Sequence, residues 1–397
     1  MDRRSFLLQS AALGCSAAAS PLLTPVAFAE APGDNRLVVI ILRGAMDGID
    51  ALRPLGDPAF AALRPGLNDG KHADLDGFWG LHPALKPLLP LWQAGQVGAV
   101  QATSTPYRNK RSHFDGQDIL EAGVLQIGGG ATGWLNRLLT TLPNAAAETA
   151  YAIGREQMAI LSGPAAASRW SPDANLRLSG QAQRLLEIVY HDDPLFRDAA
   201  AQAIEIAALV KEQEATEVED PDAMAMMQAV QSGGVHVNLA EFAAARLRGA
   251  TRIASFSLGG WDTHQNQAFA LDRALARLSD TILTLRAQLG PVWDKTAVLC
   301  LTEFGRTAFE NGTRGTDHGT GGAMLYAGGA LRGGAVRGTW PGLEEAALFD
   351  RRDVMPTSDV RTLAGWVMRG MFGTTASDIE NVVFPGLDLG DDPGLLL

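Results

Sequence analysis

Residues Arg36 to Leu42 read RLVVIIL, with no polar side chain after the arginine. An unbroken run of apolar, β-branched residues suits a strand buried on both faces, and such a strand needs a layer above it and another below. That requirement selects an α/β architecture. Ile253–Leu258, Ala297–Leu301 and Ala323–Tyr326 are similar short runs, each next to a Gly-rich or charged segment. Together they predict a mostly parallel central sheet with helices on both faces. Gln96–Gln101 adds a further strand and Ala335–Gly338 an edge strand. A chain of 397 residues with 46% hydrophobic composition can fill one large domain of this kind, expected over 30–397.

Helices are predicted at Asp57–Leu63, at Pro83–Ala94 with proline interruptions, at Gly133–Leu139 and from about Gln265 to Leu289. A last helix is predicted at Asp359–Met371, capped by Ser358 and ended by Gly373. Asn238 and Glu241 have capping-box spacing before Leu239–Leu247. A strand is expected near Met158–Leu161. The segment 175–247 reads as an inserted helical region, with Pro194–Gln213 its longest periodic piece. The acidic residues between 212 and 222 read as a solvated helix end.

The first 29 residues are set apart from the fold. Arg3-Arg4-Ser5-Phe6-Leu7 reads as a twin-arginine signal, an apolar stretch runs from Phe6 to Ala19, and Ala27-Phe28-Ala29 offers small-x-small cleavage before Glu30. The chain is therefore expected to use the twin-arginine export machinery and to be periplasmic or otherwise exported. The apolar stretch is shorter than the roughly 20 residues a span requires, so no membrane span is expected in the mature chain. Lipidation at Cys15 is the alternative processing. With cleavage before Glu30, Cys300 is the one cysteine of the mature chain, and no internal disulfide can form. The net charge is −11, and −12 without Asp2, Arg3 and Arg4, which argues against general nucleic-acid binding. A small anionic substrate stays open, because a local metal or arginine reverses the field.

The chemistry gathers on loops after strands, where open α/β sheets hold their sites. Asp47 follows the first strand, and site and turn readings are both open for it. Asp262 and His264 follow Gly259-Gly260 two residues apart. Glu303 and Arg306 follow Ala297–Leu301, with Asp317 and His318 further along the same loop. Arg108, Lys110 and Arg111 precede Ser112 and His113, a loop suited to an anionic group. Carboxylates and imidazoles together are ligands for a divalent ion. Such an ion activates water or a serine and polarises a phosphoryl, sulfuryl or carbonyl oxygen. The expected ligands are Asp47, Asp262, His264, Glu303, Asp317 and His318. Ser112, His113 and Arg306 are expected at the rim in catalytic roles, with Ser112 either a nucleophile or a plain helix cap.

The segments LRGAMDGID (42–50), RSHFD (111–115), GWDTH (260–264), TEFGRT (302–307) and GTDHG (315–319) resemble the signatures of the family catalogued as domain of unknown function 1501. Its members are mostly twin-arginine-exported proteins grouped with the alkaline phosphatase and sulfatase superfamily. The resemblance implies an α/β/α sandwich with metal ligands on strand-end loops. It implies Asp47 as the first-strand ligand, Asp262 and His264 as the middle pair and His318 as the late histidine. Glu303-Phe304 departs from the superfamily's usual Asp-His. The expected function is an exported metal-dependent hydrolase of phosphate or sulfate esters, acting through a metal-activated serine or water. The ion is divalent, with zinc, calcium, magnesium or manganese all possible. The alternative is a non-catalytic relative that binds a ligand or protein, with no ion or one structural ion.

Overall fold

The computed structural model describes residues 33–108, 111–126, 132–154, 158–171 and 234–397. The expected signal segment 1–29, Lys110, the helix at Pro194–Gln213 and the acidic run between 212 and 222 lie outside the described residues, as does most of 175–247.

In chain order the strands are β1 (Arg36–Arg43), β2 (Leu52–Pro54), β3 (Ala73–Asp74), β4 (Trp79–Leu81), β5 (Val97–Ser104), β6 (Ala150–Ile153) and β7 (Ser168–Trp170). They continue with β8 (Ile253–Gly259), β9 (Thr296–Leu301), β10 (Gly322–Ala327), β11 (Val336–Arg337) and β12 (Ser358–Asp359). Among the described residues, nine form one sheet in the order β11-β5-β10-β9-β1-β8-β6-β7, with β12 also paired to β5. β9, β1, β8, β6 and β7 run parallel. β10 is antiparallel to both its neighbours, so β5 returns to the common direction. The sheet is thus mixed and mostly parallel, and helices flank it. β2, β4 and β3 make a separate antiparallel sheet.

The six residues Leu37 to Leu42 are all fully buried. Strand alternation sends Val38, Ile40 and Leu42 to one face, against Leu271, Leu275, Leu278 and Ile282 of the helix Gln267–Leu289 and Ala240 and Ala243 of the helix Val235–Leu247. It sends Leu37, Val39 and Ile41 to the other, against Leu135 and Leu138 of the helix Trp134–Thr141 and Leu363 and Val367 of the helix Val360–Phe372. Each such side chain contributes roughly 1.5–3 kcal/mol by leaving water. Cys300 is buried in β9, and burial pushes its thiol pKa up to about 12, so it is inert at neutral pH.

Four expectations need correction. Met158–Leu161 is a loop and a 3-10 turn at Ala159–Leu161, while the strands of that region are β6 and β7. Apolar residues without length or alternation do not distinguish the two. Ala323–Tyr326 is a strand, but antiparallel. Ser358 lies in β12, and Asp359 caps the last helix by accepting from Arg361 N. Asn238 sits inside a helix that already starts at Val235, so it caps nothing. Gly373 does close the last helix, with φ of 68°.

Candidate metal centre

Five strand-end segments reach the same edge of the sheet. β1, β8 and β9 are adjacent and parallel, so their carboxyl ends lie together. β5 points the same way, and the loop before antiparallel β10 begins there too. The edge is tightly packed. A Cβ added to Gly44 would stand 2.5 Å from the backbone nitrogen of Asp262, so this position needs glycine.

His113 opens the helix His113–Ala122, which Ser112 caps by accepting from Asp115 N at 3.4 Å. Its ring stacks on Phe304, with centroids 5.2 Å apart. His113 Nδ1 faces Glu303 Oε1 at 2.8 Å. His264 Nδ1 faces Asp317 Oδ1 at 3.1 Å, and His318 Nδ1 faces the Arg111 carbonyl at 2.7 Å. All three partners are hydrogen-bond acceptors. Each neutral imidazole therefore carries its proton on Nδ1 and presents a lone pair on Nε2, the tautomer that binds metals.

The three Nε2 atoms meet at one carboxylate oxygen. Asp262 Oδ1 lies 3.1 Å from His264 Nε2, 3.4 Å from His113 Nε2 and 3.5 Å from His318 Nε2. The Nε2 atoms of His264 and His318 are 2.9 Å apart. Donor atoms of His113, Asp262 and His318 all fall within 4.8 Å of one another. His113 Nε2 is buried without a hydrogen-bond partner. One proton can bridge only one pair among these atoms, whereas a divalent ion satisfies His113, Asp262 and His318 together. Ligands about 2.0–2.2 Å from a tetrahedral ion stand roughly 3.3 Å apart, close to the observed separations. The residues present therefore fit a metal ion.

Behind this cluster lies a shell of charge. Arg306 has a fully buried side chain and donates from Nη2 to Asp262 Oδ1 at 2.6 Å. Its other bonds go to the carbonyls of Gly44, Ala45, Trp261 and Thr316. Burial works to raise the pKa of Asp262, but the Arg306 guanidinium holds it below the usual aspartate value. Glu303 is fully buried and also accepts from Gly44 N and Gln117. Burial opposes its ionisation, yet bonds from His113 and Gln117 keep its pKa below the ordinary glutamate value. For His113, burial lowers the pKa and Glu303 raises it, and the raising wins. Burial lowers that of His318. Asn311, then His264, hold Asp317 below the usual value.

The expected site residues thus take unequal places. Asp262, His264 and His318 come together, and His113, expected at the rim, stands in the cluster with them. Glu303 and Asp317 are one step back, each holding an imidazole. Arg306 lies beneath the cluster, fully buried, and is not at the rim. Asp47 is not brought to it. Its Oδ2 accepts from Arg64 at 2.6 Å and Gln267 at 2.7 Å, and its Oδ1 caps Asp50 N, all in full burial. A carboxylate so committed to fixed donors is not among the grouped donor atoms, which corrects its reading as the first-strand ligand. Sequence reasoning missed the Arg111 carbonyl, Gln117 and Arg64. Only Arg111 carried a signal, its place two residues before His113.

Because Ser112 Oγ caps the helix by accepting from Asp115 N, Ser112→Ala is expected to lower stability by about 0.5–2 kcal/mol and to leave ion content unchanged. Urea unfolding with metal analysis checks this. Ion occupancy should fall as pH drops through the histidine range, nominally about 6.5, because protons and the ion compete for the same lone pairs. His113, with its raised pKa, protonates ahead of His318, with its lowered one, which NMR titration of the ion-free protein would read out. Occupancy indifferent to pH between about 8 and 5 would contradict histidine ligation.

The chain is similar to the lipoteichoic acid synthase LtaP from Listeria monocytogenes, at 9% identity over 94% of this chain and 78% of that one, with a TM-score of 0.41. It is similar to Ps i-CgsB at 10% identity over 88% and 74%, with a TM-score of 0.36. The complex of Ps i-CgsB with k-i-k-neocarrahexaose gives 9%, 89% and 74%, and 0.37. Likeness at this level leaves fold and activity to be argued from the chain itself. No curated protein matches the sequence. His113, Asp262, His264 and His318 all fall within residues 103–364, the stretch that matches the family described as Protein of unknown function (DUF1501), and the chain belongs to that family.

Proposed function

We propose that this protein is an exported, metal-dependent hydrolase of phosphate or sulfate esters, related in fold to the alkaline phosphatases and sulfatases. The observation that supports the reading is the meeting of three imidazole Nε2 lone pairs on Asp262 Oδ1, each ring held in the metal-binding tautomer from behind. His113, Asp262 and His318 would hold the ion, with His264 beside them against Asp262. A divalent ion in such a site supplies Lewis acidity, lowering the pKa of water and polarising an ester oxygen. Glu303 and Asp317 keep the protons of His113 and His264 on Nδ1. Arg306 fixes Asp262, and its own charge lies too deep to meet a substrate. Ser112 Oγ accepts from Asp115 N and is bonded to none of the cluster side chains among the described residues, which favours water over serine as nucleophile.

The same observation suits the second reading, a non-catalytic relative with one structural ion, because no hydroxyl is bonded to the side chains of His113, Asp262, His264 or His318 among the described residues. Metal analysis of the folded, exported protein and turnover of p-nitrophenyl phosphate and p-nitrophenyl sulfate separate the two. One bound ion with turnover is expected. One ion without turnover of any ester favours the second reading, and no ion removes the first.

Export rests on Arg3-Arg4 and the small residues before Glu30. Among the described residues, no helix is long and apolar enough to cross a membrane. N-terminal sequencing of exported protein should find Glu30, and a start at Met1 or Cys15 would overturn the cleavage.

A further inference from the structure

We propose that Arg111 binds the negative charge of the substrate, so that the site takes anionic esters in preference to neutral ones; the proposal rests on the hydrolase reading for the word substrate. Arg111 has φ of 53°, a left-handed conformation that costs a non-glycine residue energy. The strain has an identifiable effect: it accompanies a backbone carbonyl aimed at His318 Nδ1, 2.7 Å away. The residue is thereby tied to the metal cluster through its main chain, and its side chain is left free for something else.

That side chain lacks a close counter-ion. Among the described residues, no hydrogen bond engages the guanidinium, and its nearest carboxylate oxygen is Asp353 Oδ2, at 3.9 Å. Asp353 is already served. It is fully buried, accepts from Thr320 Oγ1 at 2.8 Å and pairs with Arg352 Nη1 at 3.1 Å. Arg352 in turn donates to the His318 carbonyl, which fixes this pair beside the same histidine. Arg111 therefore adds a positive charge that the protein does not neutralise at hydrogen-bond distance, with its side chain 42% exposed. Arg306, the other guanidinium of the site, is buried and spent on Asp262 and four carbonyls. A planar fork with free donors, on the residue whose carbonyl holds His318, matches the oxygens of a phosphate or sulfate group.

Charge also sets a condition. The carboxylates Asp262, Glu303, Asp317 and Asp353 outnumber the guanidinium groups of Arg111, Arg306 and Arg352, so an anion should bind more tightly once a divalent cation is in place. The test is calorimetric titration of inorganic phosphate into ion-loaded and ion-free protein, for the wild type, Arg111→Ala and Arg111→Lys. Phosphate is expected to bind the loaded wild type, to bind the ion-free form at least about tenfold more weakly, and to lose about tenfold in Arg111→Ala, with partial recovery in Arg111→Lys. Ion content should not change, since every variant keeps the carbonyl that holds His318. In turnover, Arg111→Ala should raise KM for p-nitrophenyl phosphate by more than it lowers kcat. Equal phosphate affinity in wild type and Arg111→Ala overturns the proposal. If Arg111→Ala loses its ion, Arg111→Lys decides by the same titration. Arg111-dependent phosphate binding without turnover of any ester sustains the anion site while removing the hydrolase reading.

Discussion

Asp262→Asn is expected to empty the metal centre while the protein stays folded. The substitution keeps the shape of the side chain and removes its charge. Asp262 Oδ1 is the one atom that all three Nε2 nitrogens approach, at 3.1 to 3.5 Å. It also accepts from Arg306 Nη2 at 2.6 Å. An amide oxygen can still accept from Arg306, and the four carbonyls around that guanidinium hold it in place, so the fold should survive. Three neutral imidazoles then face the ion with Arg306 behind them and no negative charge between. Altering groups one shell further out typically costs 10–100-fold in metal affinity, so loss of this ligand should exceed about 100-fold. Glu303→Gln and Asp317→Asn, which loosen one imidazole each, should fall within that range. Metal analysis after dialysis, with competition against a chelator of known affinity, measures all three. A stoichiometric ion in Asp262→Asn at wild-type affinity would remove Asp262 from the ligand set, and no ion in the wild type would leave the cluster a hydrogen-bonded histidine network.

How much of this was legible in the sequence depended on whether a property is carried by neighbours or by distant partners. The run Leu37 to Leu42 declared a strand buried on both faces, because full burial needs an unbroken apolar string, and β1 is that strand. Strand direction is not encoded this way. Ala323–Tyr326 is as apolar as β9, and nothing in its composition tells that β10 runs antiparallel. The loop positions of Asp262, His264 and His318 were readable, since each follows or precedes an apolar run. Their distances were not, because they depend on how β1, β8 and β9 stagger. The least legible feature was depth. Arg306 and Asp262 are both charged loop residues in the sequence, yet one side chain is fully buried and the other about half exposed. His113 looked like a rim residue beside basic neighbours. The cap at Ser112 turns its ring inward against Phe304 and Glu303.

Asp47 shows the same limit most sharply, and the prediction that follows from it has the largest effect on stability. The sequence places an aspartate after the first buried strand, the position that resemblance assigns to a ligand. Arg64, which claims it, lies 17 residues on and is equally buried. Arg64 also donates to the carbonyls of Thr307 and Ala308, so it ties the 302–321 loop to the end of β1. Gln267 donates to both Asp47 and Asp50, while Thr316 donates to Gln267 and accepts from Arg306 through its carbonyl. The pair is thus the far end of a buried network that ends at Asp262. Removing one partner of a buried pair leaves an uncompensated charge, at a cost of about 3–5 kcal/mol. Arg64→Met should destabilise by that amount, read from urea unfolding. The double variant Asp47→Asn with Arg64→Met should cost less than the two single changes together, because neither charge is then left alone. Asp47→Asn by itself should lower stability and keep the ion, in contrast to Asp262→Asn, which should lose the ion and keep the fold. An Asp47→Asn protein that binds metal as weakly as Asp262→Asn would return Asp47 to the ligand set and overturn its assignment to the buried ion pair.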